Sequence, residues 1–186
     1  MEQETLEQLK KKLLSLLDRE ALKRGDFTLS SGKKSKYYLD GRVITLTPEG
    51  AYLVASIMLE LISGENFSAV GGPTLGADPI AGALAALSYI RKIPVKTFIV
   101  RKSAKAHGAG RQIEGPQLKK GEHVLLVDDV ATSGSSLIEA KEALEREGII
   151  AKEAIVIVDR QEGALERLAQ AGIRLRSIFT IADFGL

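Results

Sequence analysis

The feature that most constrains this chain is a set of short segments that are apolar on consecutive residues rather than on alternate ones. Val124-Leu125-Leu126-Val127 and Ala154-Ile155-Val156-Ile157-Val158 are the clearest. A strand of this kind has no face to offer water. Both of its sides must be covered, as in a parallel sheet lying between two layers of helices. Strands are expected at 68–71, 96–100, 123–127, 153–158 and about 173–180, with helices at 77–91, 135–147 and 162–170. Strand-then-helix alternation predicts an open α/β sheet. Ahead of it, Leu6, Leu9, Leu13, Leu16 and Leu17 recur at helical spacing, which predicts an amphipathic helix over 3–22. Residues 25–38 read as a short hairpin-like unit. Thr47-Pro48-Glu49 opens a further helix that Gly64 closes, with proline in the first turn, where its missing N–H costs nothing.

A chain of 186 residues suits one domain, 1–186, with 1–45 as an appendage over one edge of the core. There are no cysteines, which excludes disulfides and thiolate metal sites. The first twelve residues are too polar for a signal peptide, so a cytoplasmic location is expected. No uncharged apolar run approaches the roughly 18 residues of a membrane span. A net charge of +2 gives no push towards nucleic acid. The expected partners are therefore small molecules, with neither nucleic acid nor membrane.

Ligands of open α/β sheets bind beyond the carboxyl ends of the strands. The loops that meet this rule are 72–76, 101–115, 128–134 and 159–161. The richest is the segment 128–136, Asp128-Asp129-Val130-Ala131-Thr132-Ser133-Gly134-Ser135-Ser136, which runs into a helix. Small residues let the backbone approach a ligand. The free N–H groups and dipole of the helix start favour an anion. Three serines and a threonine add hydroxyl donors. Adjacent carboxylates repel each other, and they make sense as acceptors for ligand hydroxyls or as groups facing a ligand-bound metal ion. A phosphate cradle beside two diol acceptors describes a ribose 5-phosphate. A plain turn capped by serines, or the acidic strand ends of a receiver domain, explains only part of this combination.

The loop 101–115 is basic, with Arg101, Lys102, Lys105 and Arg111, and with His107 able to join them. Gly108 and Gly110 suit a lid. Cations held around a departing polyanion stabilise its developing charge. Gly71-Gly72-Pro73-Thr74-Leu75-Gly76 is turn-rich, and Asp159-Arg160-Gln161-Glu162 sets an arginine fork at a strand end.

Residues 124–136 resemble the phosphoribosyl-pyrophosphate (PRPP) motif of type I phosphoribosyltransferases. Arg101-Lys102-x-x-Lys105-x-His107-Gly108, followed by Ile113-Glu114-Gly115, resembles the catalytic loop of the orotate phosphoribosyltransferases. Phe27-Thr28-Leu29-Ser30-Ser31-Gly32 through Tyr37-Tyr38 is similar to that family's N-terminal signature, and the likeness covers about 25–183. It implies the type I phosphoribosyltransferase fold, a mainly parallel sheet with a small hood to which 1–45 and the C-terminal segment contribute. It also implies transfer of phosphoribose from PRPP to orotate with Mg²⁺, giving orotidine 5′-monophosphate. The metal would be held mainly by substrate.

Carried over residue by residue, the catalytic positions are Lys105, His107, Asp128 and Asp129. The PRPP contacts are these four with Arg101, Lys102, Val130, Ala131, Thr132, Ser133, Gly134, Ser135 and Ser136. Thr132 and Arg160 would reach orotate, and Tyr37 and Tyr38 have the shape to cover the base. The family implies a homodimer in which each lid enters the neighbouring site. Ser30 departs from the lysine that many members carry there, and Lys33, Lys34 and Lys36 are equally placed to replace it.

Overall fold

The computed structural model describes residues 4–28, 32, 34–103 and 112–186. Helix α1 (Leu6–Leu16) begins at a reciprocal cap between Thr5 and Gln8. It does not continue as α-helix to residue 22. A π turn (Leu17–Ala21) buries Leu17 and Ala21, and Leu22 then starts a strand. The cause is long-range pairing: Leu22 stands opposite Leu39, both buried, in the antiparallel pair β1 (Leu22–Thr28) and β2 (Lys34–Leu39). Sheet formation therefore overrides the leucine periodicity at this point.

A short helix α2 (Arg42–Thr45), too brief to show a periodicity in the sequence, links this hood to the core. Helix α3 (Pro48–Leu61) follows, capped by the Thr47 hydroxyl. The core then runs β3 (Ala69–Pro73), α4 (Ala77–Ile90), β4 (Thr97–Val100), β5 (Ile113–Glu114), β6 (His123–Ala131), α5 (Ser135–Arg146), β7 (Ile150–Asp159), α6 (Ala164–Gln170) and β8 (Arg174–Thr180). A 3₁₀ turn, Ile181–Phe184, ends it.

The strand order is β5-β4-β3-β6-β7-β8, parallel except for the two-residue β5. The expected α/β sheet is present, and the consecutive apolar residues divide between its faces. Ile155 and Ile157 join the side chains of α1, α3 and α4, while Ala154 and Val156 join those of α5 and α6. Helices α4 and α5, which follow the adjacent strands β3 and β6, thus lie on opposite faces. The crevice between the ends of those two strands is a topological switch point.

Two strand boundaries shape the ligand-facing end of this sheet. Strand β6 does not stop at residue 127. Its pairing with β7 continues through Val130↔Val158 to Ala131↔Asp159, so residues 128–131 are strand rather than loop. The segment 101–115, read from the sequence as a loop, contains β5, where Ile113 and Glu114 pair with Val100 and Ile99. The C-terminal turn buries Phe184 in the same core cluster as the side chains of α1, and the Phe184 carbonyl accepts from Arg24 Nη2 of the hood at 3.0 Å.

Candidate active site at the ends of β3, β6 and β7

A cavity of about 480 Å³ opens where the switch point meets the hood. Its core walls are Pro73, Thr74 and Gly76 after β3, Lys102 after β4, and Asp128, Asp129, Val130, Thr132 and Ser136 from β6 and the start of α5. Arg160 closes it from the end of β7, and Tyr38, Leu39, Asp40 and Arg42 close it from the hood. All of the strand-end loops expected to bind ligand therefore contribute to one space.

The two carboxylates stand at its floor. Asp128 is buried, and it accepts the Ser136 hydroxyl at 3.1 Å and the Asp129 N–H at 3.0 Å. Burial, and then the charge of Asp129, push the Asp128 carboxyl well above the ordinary carboxylate range. Burial raises Asp129 as well, against the lowering effects of the Val130 N–H and the Arg42 charge. The floor is tight. A Cβ on Gly76 would lie 2.0 Å from Asp128 Oδ1 and 2.6 Å from Asp129 Oδ1, so a side chain there would displace both carboxylates.

The phosphate loop divides. Thr132 and Ser136 face the cavity, whereas the Ala131 side chain is buried in the core behind it. Ser133, Gly134 and Ser135 form the turn beyond, where Gly134 adopts φ +74° to begin α5. The hydroxyls of Ser133 and Ser135 lie 3.0 Å apart.

Arg160 is buried and held from three sides. Its N–H bonds to the Ala131 carbonyl at 3.0 Å. Nε donates to the Tyr37 hydroxyl at 3.1 Å, and the guanidinium carbon stands 4.7 Å from the Tyr37 ring centre. Nη2 lies 2.8 Å from Glu162 Oε1, yet out of line for a hydrogen bond, so that buried nitrogen retains unused donor capacity. The tyrosine pair thus separates: Tyr38 lines the cavity, while Tyr37 supports Arg160.

The basic segment is only partly brought in. Lys102 lines the cavity. Arg101 instead pairs with Glu114 across β4 and β5, at 3.3 Å, and faces a smaller recess. Lys105, His107, Arg111, Ser30 and Lys33 lie outside the described residues. Three wall residues, Leu39, Asp40 and Arg42, are not among the positions expected from the sequence. Asp40 accepts Arg42 Nε and Nη2, both at 2.9 Å, which lowers the Asp40 carboxyl and holds Arg42 protonated beside Asp129. Their signal is present in Tyr38-Leu39-Asp40-Gly41-Arg42, but nothing local distinguishes a wall residue from a surface ion pair. Among the described residues, no group of three or more His, Asp or Glu side chains is arranged to hold a metal by itself. The paired carboxylates suit a metal that arrives with its substrate.

Comparison with known proteins agrees with this geometry. Residues 44–184 match the phosphoribosyl transferase domain. The orotate phosphoribosyltransferase of Rhodopirellula baltica is 44% identical over 180 residues, covering 94% of this chain and 93% of its own. The crystal structure of the Mycobacterium tuberculosis orotate phosphoribosyltransferase with Fe(III) dicitrate superposes with a TM-score of 0.83 at 40% identity, covering 96% of this chain and 99% of that one. A structure of the M. tuberculosis enzyme with PRPP gives 0.79 at 36% identity over the same shares. By sequence and fold, the chain belongs to the orotate phosphoribosyltransferases.

Proposed function

We propose that the protein transfers the 5-phosphoribosyl group of PRPP to orotate, releasing pyrophosphate and orotidine 5′-monophosphate. The observation that carries this reading is the convergence of Asp128, Asp129, Thr132, Lys102 and Arg160 on one cavity under the hood. Asp128 and Asp129 accept the ribose hydroxyls. As the bond to pyrophosphate breaks, positive charge grows on the ribose ring, and ionised carboxylates beneath it favour that state. Residues 132–136 and the start of α5 hold the 5-phosphate. Arg160 meets the base, its unused N–H supplying a donor for an orotate oxygen, and Tyr38 covers the base from the hood. Lys102, with Lys105 and His107 of the lid, takes up the charge of the leaving pyrophosphate.

Mg²⁺, bound to PRPP, would neutralise the pyrophosphate further. The Asp128–Asp129 pair is the group of this chain suited to face it. We further propose a homodimer with the lid shared between subunits. Exposed apolar side chains support it, notably Leu46 at 73% and Leu75 at 62% exposure. The decisive assay tracks orotate absorbance with and without PRPP and Mg²⁺, with adenine, hypoxanthine and uracil run in parallel. Orotate loss that needs both additions is expected. Turnover of another base without turnover of orotate overturns the assignment.

A further inference from the structure

Helix α6 meets the phosphate loop from outside the cavity with two consecutive side chains. Leu168 lies against Gly134, where a Cβ would stand 2.8 Å from Leu168 Cγ. Arg167 donates from Nη1 to Ser135 Oγ at 2.8 Å, and Ser135 Oγ in turn lies 3.0 Å from Ser133 Oγ. The turn at 133–135 therefore has an apolar support on one side and a guanidinium on its rim.

Charge gives this contact a purpose. Segment 128–136 contains two carboxylates and no Lys, Arg or His. A phosphate monoester brings about two negative charges at neutral pH. The start of α5 offsets about half a charge. The cavity's own cations, Arg42, Lys102 and Arg160, come from other elements, whereas Arg167 hydrogen-bonds the phosphate turn itself. The same bond bears on the hydroxyl. An oxygen that accepts from Arg167 keeps its own proton free to donate. The Ser135 proton is therefore available to an anion, whichever of Ser133 and Ser135 donates across their 3.0 Å contact.

We propose that Arg167 is a positioning residue for the 5-phosphate of PRPP, balancing its charge and orienting the Ser135 hydroxyl towards it. The inference rests on the ribose-phosphate reading of this loop and adds to it a residue from a helix outside the motif. An exposed arginine of merely structural use would behave otherwise, since exposed polar pairs contribute little to an empty fold.

The test compares wild type with Arg167→Ala, Arg167→Gln and Arg167→Lys. Calorimetric binding of ribose 5-phosphate and of pyrophosphate is measured separately, beside steady-state kinetics. Arg167→Ala is expected to weaken ribose 5-phosphate binding and raise KM for PRPP by roughly tenfold, as loss of a charge-assisted contact does. The kcat, the KM for orotate, pyrophosphate affinity and Tm of the empty protein stay close to wild type. Lysine restores most of the loss, and glutamine, which donates without charge, restores less. Wild-type affinity for ribose 5-phosphate in Arg167→Ala overturns the proposal, as does an equal loss of pyrophosphate binding. A wild type that neither binds ribose 5-phosphate nor consumes orotate defeats the underlying reading instead.

Discussion

The two halves of the cavity are built by different means. On the core side, the end of β6 is fixed by a ladder to β7, and Asp128 is buried against Ser136 and the backbone. On the hood side, a two-stranded sheet carries exposed ion pairs such as Lys36–Asp26 at 2.6 Å and Arg24–Asp18 at 2.8 Å. The core half holds carboxylates that the fold alone does not want. The hood half holds charges that water would accept equally well. Strain against function is expected in the first region and tolerance in the second.

The sharpest break of this comparison is at the carboxylates. Asp129→Asn is expected to lower turnover by about 10²-fold or more, as removal of a preorganised charge does. Asp128→Asn should do the same while raising the stability of the empty protein by about 1 kcal/mol, measured by denaturant unfolding. The sign comes from the raised carboxyl. A group that holds its proton more tightly when folded makes the fold less stable as pH rises from the ordinary carboxylate range through the raised value. Empty wild type should therefore gain stability from this pair on mild acidification, and Asp128→Asn should flatten that slope. A destabilised Asp128→Asn protein contradicts the account.

Lys105→Ala is also expected to cost roughly 10²-fold in turnover. Mixing it with Asp129→Asn tests the shared lid, because dimers exchanged at random restore about a quarter of the sites. No recovery after subunit exchange, in a mixture shown to contain heterodimers, argues for a lid that closes over its own subunit.

Arg160→Lys keeps a charge but loses the planar fork that Tyr37 and Glu162 hold. KM for orotate should rise about tenfold with KM for PRPP little changed. Equal effects on both substrates would mean that Arg160 supports the cavity as a whole. At the bottom of the scale, Lys36→Ala should shift stability by under about 0.5 kcal/mol. A larger change there would erase the contrast between hood and core.

The sequence exposes the core half more readily than the hood half, for a physical reason. Runs such as 154–158 announce burial on both faces whatever lies elsewhere in the chain. The cluster at 128–136 likewise signals through residues adjacent in sequence. Its strand boundary is not local, because the continuation of β6 to Ala131 is decided by Val158 and Asp159, some thirty residues away. The hood depends still more on distant partners. Leu22 leaves the helical pattern to meet Leu39, and Tyr37 is committed to Arg160, more than a hundred residues on. Arg101 pairs with Glu114, a contact the sequence does not announce, because β5 forms within a stretch that has no apolar pattern of its own.

One rung of the sheet has a consequence beyond stability. Ala131 stands opposite Asp159, and the Ala131 carbonyl accepts the Arg160 N–H. Thr132 and Arg160, the next residues on each strand, are thereby set at an interval that no side-chain motion can stretch. On the proposed assignment of these residues, the sheet would act as a calliper, with one jaw at the phosphate and the other at the base. Such a tool would gauge the span of a whole nucleotide rather than recognise its two ends independently. Replacing side chains on either jaw changes what is gripped, whereas changing the span itself requires shifting the register of two central strands.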